Sequence, residues 1–408
     1  MKPVGPIPAD FTAIGGELAL GGRTVSALVE EVEGTPLFVY VSDVILARMG
    51  GLRAAMPERL KIHYAMKANP FRPVIAFLNE LADGFDVASE GELLRAISVG
   101  VDPSKISFAG PGKRDQELVL ALLHGVTINL ESANEARRAL ARAETMGVTP
   151  RLAIRVNPDF EMRGSGMKMG GGAKPFGVDQ AQVPDLAREV IAAGAEWRGL
   201  HIYTGSQALD ADSVIETQAN VLALAARISD EIGVRLPHLN MGGGFGIPYF
   251  DKDRPLDIGR VGEALKQRFA DLPPALQDTE FAIELGRYLV GEAGVYLTTI
   301  VDRKVSHGVT YLITDGGMHH QLAASGNFGT VVRRNYPAAI ATRFGEEAEE
   351  EVNIVGCLCT PLDRLSDQAM MPRADVGDIV VMFCAGAYGA SASPASFLGQ
   401  GPAFEMLV

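Results

Sequence analysis

The stretch Lys61-Ile-His-Tyr-Ala-Met-Lys67-Ala-Asn-Pro70 opens a series of eight short apolar segments, each ending in a polar or glycine-rich tip. Most of the segments are rich in β-branched or large apolar residues and too short for core helices, which is typical of buried strands. Lys67 at such a strand end is a candidate Schiff-base amine, because burial lowers a lysine's pKa and frees its lone pair. The alternative is an ordinary surface lysine where a strand meets its loop. The eight segments are Ile62–Lys67, Phe85–Ser89, Ile106–Gly110, Val126–Glu131, Leu152–Asn157, Gly199–Thr204, Leu239–Gly244 and Phe281–Gly286.

Helical patterns lie between these segments. Ser132-Ala-Asn-Glu135 predicts a capping box that opens a helix reaching Met146, and residues 211–233 predict a second helix. Strand and helix alternating eight times over about 230 residues predict an α/β fold, a (β/α)8 TIM barrel, which we place at residues 36–290. A doubly wound open sheet is the alternative, although eight repeats favour closure.

The sequence changes character after Arg287, where β-rich segments follow with few helical stretches between them. This pattern predicts a second, C-terminal all-β domain. The glycine pairs at residues 15–16 and 21–22 surround short apolar runs that could pair with its sheet. We therefore assign residues 1–35 and 291–408 to this domain.

Composition excludes several classes of protein. With 408 residues, 47% of them hydrophobic, and a net charge of −13, the chain suits neither nucleic acid nor an anionic membrane as its main partner. There is no secretory signal pattern, and no apolar run approaches the roughly 20 residues that cross a bilayer, so we expect a soluble cytoplasmic protein. The three cysteines fit reduced thiols, and their spacing predicts no structural metal.

Ionisable groups are concentrated at the carboxyl ends of the predicted strands, where TIM barrels carry their chemistry. The seventh segment ends in Asn240-Met-Gly-Gly-Gly-Phe-Gly246, and glycines let backbone N–H groups approach an anion such as phosphate. Glu284-Leu-Gly-Arg287 follows on the eighth. A carboxylate there can keep a pyridine nitrogen protonated, which makes pyridoxal 5′-phosphate (PLP) a strong electron sink. The alternatives are a tight bend and a Glu–Arg ion pair.

Eight motifs in one order carry a family resemblance. Together they resemble the PLP-dependent decarboxylases with an alanine-racemase-type barrel, the diaminopimelate and ornithine/arginine decarboxylase group, over residues 36–404. The motifs are Tyr64-Ala-Met-Lys67-Ala-Asn, Phe85-Asp-Val-Ala-Ser89-Glu, Arg155-Val-Asn-Pro158, Gly205-Ser206-Gln207, Gly242-Gly-Gly244, Glu284-Leu-Gly-Arg287, Cys359 to Asp363, and Gly386-Ala-Tyr388.

This resemblance implies roles for individual residues. Lys67 would form the internal aldimine with PLP, Glu284 would pair with the pyridine nitrogen, and Cys359 would protonate the carbon that CO2 leaves. Cys359 would enter from the other subunit of a homodimer with shared active sites. Asp86 would orient neighbouring groups, and Arg155 would contact the ring hydroxyl region of the cofactor. The phosphate would be held by Ser206, Gly243, Gly244, Gly286, Arg287 and Tyr388.

Three positions depart from the family pattern. Tyr203 stands where the family has a histidine that stacks on the cofactor ring; tyrosine can stack but supplies no cationic imidazole. His201, two residues earlier, points the same way in a regular strand and either compensates in part or is simply packed. Leu285 replaces a common proline, which is a mild change. Thr360 follows Cys359 where diaminopimelate and ornithine enzymes carry an acidic residue, although Asp363 remains.

The segment at residues 315–328 resembles a branch that decarboxylates glutamyl groups attached to an acyl carrier protein, together with exosortase-associated relatives. Within it, His319 is a candidate for substrate contact. Nearby Arg334 is a candidate for contact with a substrate carboxylate or a carrier phosphopantetheine, the alternative being an exposed basic pair with Arg333.

The sequence therefore predicts PLP-dependent decarboxylation of an L-amino acid, free or carrier-tethered. The alternatives within this chemistry are diaminopimelate decarboxylase and ornithine or lysine decarboxylase. A racemase is disfavoured, because racemases of this type place arginine against the pyridine nitrogen where this chain has Glu284. An inactive regulatory relative is disfavoured as well, because the chain keeps Lys67 and the phosphate motif.

Overall fold

Eight parallel strands close into a barrel in the computed structural model, which describes residues 1–164, 166–326 and 333–408. Each strand pairs with the next one along the chain, including the fourth with the fifth, and the eighth strand pairs with the first, which closes the barrel. The barrel strands are, in order, Leu60–Ala65, Gly84–Val87, Ile106–Phe108, Thr127–Leu130, Arg151–Asn157, Glu196–His201, His238–Gly243 and Glu280–Leu285. The predicted barrel is thus confirmed.

A helix follows each barrel strand in the chain. Both predicted helices are present, and Ser132 caps one of them by accepting a hydrogen bond from the Glu135 backbone N–H at 3.1 Å. The Glu135 carboxylate does not close a capping box but accepts from Lys113 at 2.7 Å. The helices are Arg72–Asn79, Glu90–Ser98, Asp115–His124, Ala133–Met146, Val183–Ala192, Ala211–Ile232, Ile258–Ala270 and the short Arg287–Val290.

Large apolar side chains fill the space around the barrel strands. Tyr64, Phe85, Phe108 and Phe281 are almost wholly buried, and the rings of Tyr64 and Phe85 meet edge to face with centroids 5.9 Å apart. Because such strands are buried on both faces, their sequences read as nearly continuous apolar runs. Short pairs of residues, Met167–Lys168 with Gly205–Ser206, add a small antiparallel ribbon beyond the strand ends.

Apart from Val178–Asp179, which pairs with the barrel strand Arg151–Asn157, the remaining strands form a β-rich unit, as predicted. Three of them, Thr12–Ile14, Glu17–Leu20 and Arg23–Thr24, make a separate sheet, so the pairing predicted between these N-terminal residues and the larger sheet is wrong. Two helices, Val25–Glu31 and Ser42–Ala55, lie near them in sequence. The larger sheet contains Leu37–Tyr40, Gly294–Ser306, Val309–Thr314, Ala338–Ile340, Glu350–Val355, Arg364–Met371, Ile379–Met382 and Phe404–Leu407.

The chain divides into two compact units at places that differ from the predicted boundaries. The barrel unit comprises residues 49–246 and 255–288, and the β-rich unit comprises residues 1–48, 247–254 and 289–408. Leu37–Tyr40, which sequence analysis puts in the barrel, pairs instead with Gly294–Ser306 on one side and Phe404–Leu407 on the other. Within the described residues, no helix has the length and apolarity needed to cross a membrane.

Candidate active site

Lys67 follows the first barrel strand within a short 3-10 turn, Met66–Ala68. The Tyr64 hydroxyl donates to the Asn69 carbonyl at 2.8 Å and so fixes the loop that carries the lysine. The Lys67 Nζ lies 5.2 Å from the centroid of the Tyr203 ring, which comes from the loop after the sixth strand. Lys67 is exposed, so the burial expected from its sequence is not present; the turn carries the lysine beyond the apolar strand.

Glu284 is a buried carboxylate on the eighth strand with two polar partners. His201 Nε2 lies 3.0 Å from one of its oxygens, and Asn240 Nδ2 donates to the same oxygen at 3.1 Å. Burial alone would raise the pKa of Glu284, but His201, Lys67 and Arg155 nearby lower it to about 2. The carboxylate is therefore ionised at neutral pH, and His201 lies against it.

Asp86, on the second strand, is buried next to a histidine that sequence analysis did not select. The Nδ1 of His63 lies 3.4 Å from an Asp86 carboxylate oxygen. Burial would lower the pKa of His63, but the neighbouring Asp86 and the more distant Glu284 raise it above its usual value. Neither Asp86 oxygen makes a geometrically good hydrogen bond with the described residues. An unsatisfied buried carboxylate is costly, which indicates that a further group belongs beside it.

Arg155 and Glu131 form a buried ion pair at the ends of the fifth and fourth strands. Arg155 Nη1 lies 2.8 Å from Glu131, which also accepts backbone hydrogen bonds from Gly110 at 2.7 Å and Gly177 at 2.8 Å. Burial would raise the pKa of Glu131, but Arg155 and the nearby Lys113 lower it. These contacts lock the Arg155 side chain at the carboxyl end of the barrel.

The glycines at the end of the seventh strand form a cradle that no other residue fits. A β-carbon at Gly243 would lie 1.9 Å from the Glu284 carbonyl oxygen, and one at Gly244 would lie 2.1 Å from that of Gly205. Gly244 also has a φ of +81°, which L side chains rarely adopt. A β-carbon at Gly286 would lie 2.7 Å from the Ala68 β-carbon. Ser206, which directly follows Gly205, is buried. Backbone and a hydroxyl without intervening side chains suit a phosphate group.

The β-rich unit holds the other predicted residues. Cys359 is an exposed free thiol, followed by a half-buried Thr360, and Arg334 is exposed with its guanidinium carbon 3.6 Å from the centroid of the Phe250 ring. His319 is fully buried, and neither ring nitrogen has a hydrogen-bond partner among the described residues. Tyr388 has an unusual backbone conformation, with φ at +58°.

Asp363, by contrast, has both carboxylate oxygens occupied by backbone N–H groups. Its two carboxylate oxygens accept backbone hydrogen bonds from Met318 at 2.6 Å and Leu358 at 2.9 Å, and the residue is 2% exposed. Burial raises its pKa, and the two hydrogen bonds oppose that rise. Asp363 therefore shapes the loop that follows the cysteines.

The barrel unit thus brings together Lys67 with Tyr203, and Glu284 with His201. Sequence reasoning missed His63 and Asn240, although both lie within the quoted strand motifs. Their signal is a polar residue inside an otherwise apolar strand, which needs a partner when buried. A PLP molecule fits this set chemically, since the barrel offers an amine, an aromatic ring, an ionised carboxylate, an unsatisfied Asp86 and a glycine cradle.

Comparison with known proteins supports the same cofactor. Residues 42–291 match the family model of the pyridoxal-dependent decarboxylase, pyridoxal binding domain. The chain is 36% identical to the L-glutamyl-[BtrI acyl-carrier protein] decarboxylase of Niallia circulans, over 94% of this chain and 90% of that protein. It is 31% identical to the diaminopimelate decarboxylase of Methanothermobacter thermautotrophicus, over 93% and 87% of the two chains.

A solved structure shares the fold along nearly the whole chain. The diaminopimelate decarboxylase of M. jannaschii in complex with L-lysine superposes with a TM-score of 0.85 at 25% identity, covering 98% of this chain and 92% of that one. The family match covers more than half of the chain, and the glycine cradle, Lys67 and Glu284 lie within it. The chain therefore belongs to the PLP-dependent decarboxylases with an alanine-racemase-type barrel.

Proposed function

We propose that this PLP-dependent decarboxylase acts on an L-glutamyl group attached to an acyl carrier protein. Similarity to the L-glutamyl-[BtrI acyl-carrier protein] decarboxylase over 94% of the chain supports this substrate. The observation that carries the proposal is the state of Asp363. Diaminopimelate, ornithine and lysine all present a distal ammonium, which needs an acidic partner when it leaves water.

Asp363 is poorly placed to be that partner. Both of its oxygens already accept backbone hydrogen bonds, one from Leu358 in its own loop and one from Met318, and the residue is almost wholly buried. The position directly after Cys359 is Thr360, which carries no charge. A glutamyl thioester lacks a distal ammonium and so requires no acid at this loop. The geometry thus favours the carrier-bound substrate over the diamino acids.

The cofactor supplies an electron sink for the electron pair that remains when CO2 leaves. In our assignment, Lys67 would hold PLP covalently, Tyr203 would stack on its ring, and the Glu284 carboxylate would keep a proton on the pyridine nitrogen. Asn240 and His201 orient Glu284 from two directions at 3.1 Å and 3.0 Å. His201 is therefore a positioning residue for this carboxylate. It does not replace the missing stacking histidine.

The glycine cradle and the residues around it are our candidates for binding the cofactor phosphate. We assign this binding to Ser206, Gly243, Gly244, and the Gly286 and Arg287 backbone, with Tyr388 adding its hydroxyl. Asp86, paired with His63, orients groups at the strand ends, and Arg155, held by Glu131, contacts the ring hydroxyl region. The ion pair holds the Arg155 side chain in place, so little conformational entropy is lost when a ligand binds.

Protonation of the product is assigned to Cys359. A positioned thiol can act as a general acid and donate its proton to carbon. The thiol is exposed, and we place it at the active site of the partner subunit in a homodimer. Shared sites of this kind would make activity depend on dimer formation.

Carrier recognition is assigned to the β-rich unit. Arg334 is exposed and stacked over Phe250, so its guanidinium is held in place while its edge remains open to an anionic group. The phosphate of a phosphopantetheine arm is such a group. His319 is buried with both ring nitrogens lacking partners among the described residues, and we assign it to contact with the amide-rich substrate arm.

Product analysis tests this assignment. PLP-loaded protein is incubated with a glutamyl-loaded carrier protein and, separately, with free diaminopimelate, lysine, ornithine and glutamate. Mass spectrometry of the intact carrier is expected to show loss of CO2 from the glutamyl group, and the free amino acids are expected to remain unchanged. The Lys67→Ala variant provides the background for each reaction.

Turnover of free diaminopimelate would contradict the carrier assignment and place the chain with its diaminopimelate-decarboxylase relatives. Turnover of ornithine or lysine would likewise show that an ammonium finds another partner than Asp363. Either result would leave the PLP chemistry intact, since only the substrate assignment depends on Asp363 and Thr360.

A further inference from the structure

A cavity of about 320 Å³ lies inside the barrel unit at the amino-terminal ends of the strands, opposite the end that carries Lys67. TIM barrels usually fill their interior with layers of bulky branched side chains. Here Ser107, Asn129 and Ala153 line the space, and they are too small or too polar to close it. The barrel is therefore hollow and polar at this end.

Positive charge dominates the wall of this cavity. Lys61, Lys105 and Arg198 line it; Arg198 is paired with Glu196 at 3.1 Å, whereas neither lysine forms an ion pair with any residue in the described part of the chain. Asp83 also lines it, but its carboxylate is taken up by Arg53 at 2.6 Å and by a backbone N–H at 2.7 Å. Glu280 is the one other acidic lining residue among those described, so the cations are in excess.

His238 also lines the cavity, and its pKa reflects its burial and the charged groups around it. Its pKa is lowered to about 3 by burial and by the electrostatic effect of the neighbouring His63, Arg198 and His201. A neutral imidazole donates and accepts hydrogen bonds without adding charge. Together with Asn129, Ser107 and Thr127, it gives the cavity several hydrogen-bonding groups for an oxygen-rich ligand.

We propose that this cavity is a second binding site, for a small dianion of the phosphate or dicarboxylate class. Two lining residues connect it to the candidate active site. Asn240 donates to Glu284 at 3.1 Å, and His63 lies 3.4 Å from Asp86. An anion bound at Asn240 and His63 acts on the side chains that hold these two carboxylates. The site is independent of which substrate the enzyme decarboxylates.

Calorimetric titration of inorganic phosphate and of malonate into the PLP-loaded protein tests the proposal. The bound cofactor fills the phosphate cradle, so any remaining site is a different one. One saturable site per chain is expected at constant ionic strength. The double variant Lys61→Ala/Lys105→Ala is expected to bind at least tenfold more weakly, while Lys266→Ala, which removes an exposed lysine from the helix Ile258–Ala270, leaves binding unchanged.

Whether the protein binds phosphate, malonate or both shows whether the site accepts phosphate-type dianions, dicarboxylates or both. Histidine-ring NMR of the wild-type protein gives a second readout that needs no variant in the cavity. Saturation with the anion is expected to shift the His238 signals. The proposal is overturned if neither anion binds saturably, if the double variant binds as tightly as the wild type, or if His238 does not respond.

Discussion

Replacement of Lys67 by alanine is expected to abolish decarboxylation and to remove the covalent attachment of PLP. No other side chain is placed on the turn Met66–Ala68 to supply an amine, and Lys67 Nζ lies 5.2 Å from the Tyr203 ring centroid. Removing a covalent nucleophile costs up to about 10⁶ in kcat in well-studied enzymes, so we expect a loss of roughly 10³ or more. Steady-state turnover and the visible absorbance of bound PLP measure the effect.

Lys266→Ala provides the control, since it removes the same charge from an exposed helix position in the barrel unit. It should retain both turnover and the absorbance of the bound cofactor. A Lys67→Ala protein that folds normally and keeps wild-type turnover would show that another amine carries the chemistry.

Replacement of Glu284 by glutamine is expected to lower kcat on the order of 10² or more, the cost of losing one preorganised electrostatic partner in other enzymes. Glutamine keeps the size of the side chain and can still accept from Asn240, but it loses the negative charge. That charge is present at neutral pH, because the pKa of Glu284 is lowered to about 2 against the effect of burial. Without it, a pyridine nitrogen beside residue 284 is no longer held protonated.

Glu189→Gln is the matched variant, because it removes an exposed carboxylate on the helix Val183–Ala192. Turnover by this control should equal that of the wild type. The role of Glu284 would be refuted if Glu284→Gln bound PLP and turned over substrate at the wild-type rate. A selective loss of kcat with PLP affinity retained would separate charge stabilisation from simple cofactor binding.

The barrel could be predicted from sequence because its strands are short, apolar and regularly separated by helices. Each predicted segment overlaps an observed strand, since burial on both faces leaves a local signature in the chain. The strand Leu37–Tyr40 falls within the predicted barrel range, residues 36–290, but belongs to the other sheet. Its apolar sequence fits any sheet, and only pairing with Gly294–Ser306, more than 250 residues later, decides which sheet it joins.

Parts of the candidate site depended on contacts that sequence spacing does not contain. The pairs His63–Asp86 and Asn240–Glu284 join different strands, and their geometry follows from barrel register. Similarly, Asp363 reads as a free acid in sequence, whereas its oxygens accept hydrogen bonds from the backbone N–H groups of Leu358 in its own loop and of Met318, which lies 45 residues earlier. The exposure of Lys67 follows from a short turn rather than from its apolar neighbours.

Identification of the lysine that binds PLP tests the central assignment most directly. The PLP-loaded wild-type protein is reduced with borohydride, which makes the bond between lysine and cofactor permanent, and is then digested and mapped by mass spectrometry. The structure predicts a single pyridoxyl group, on the peptide that contains Lys67. A pyridoxyl group on a different lysine, or none on any peptide, would contradict the assignment of Lys67 as the residue that carries the cofactor.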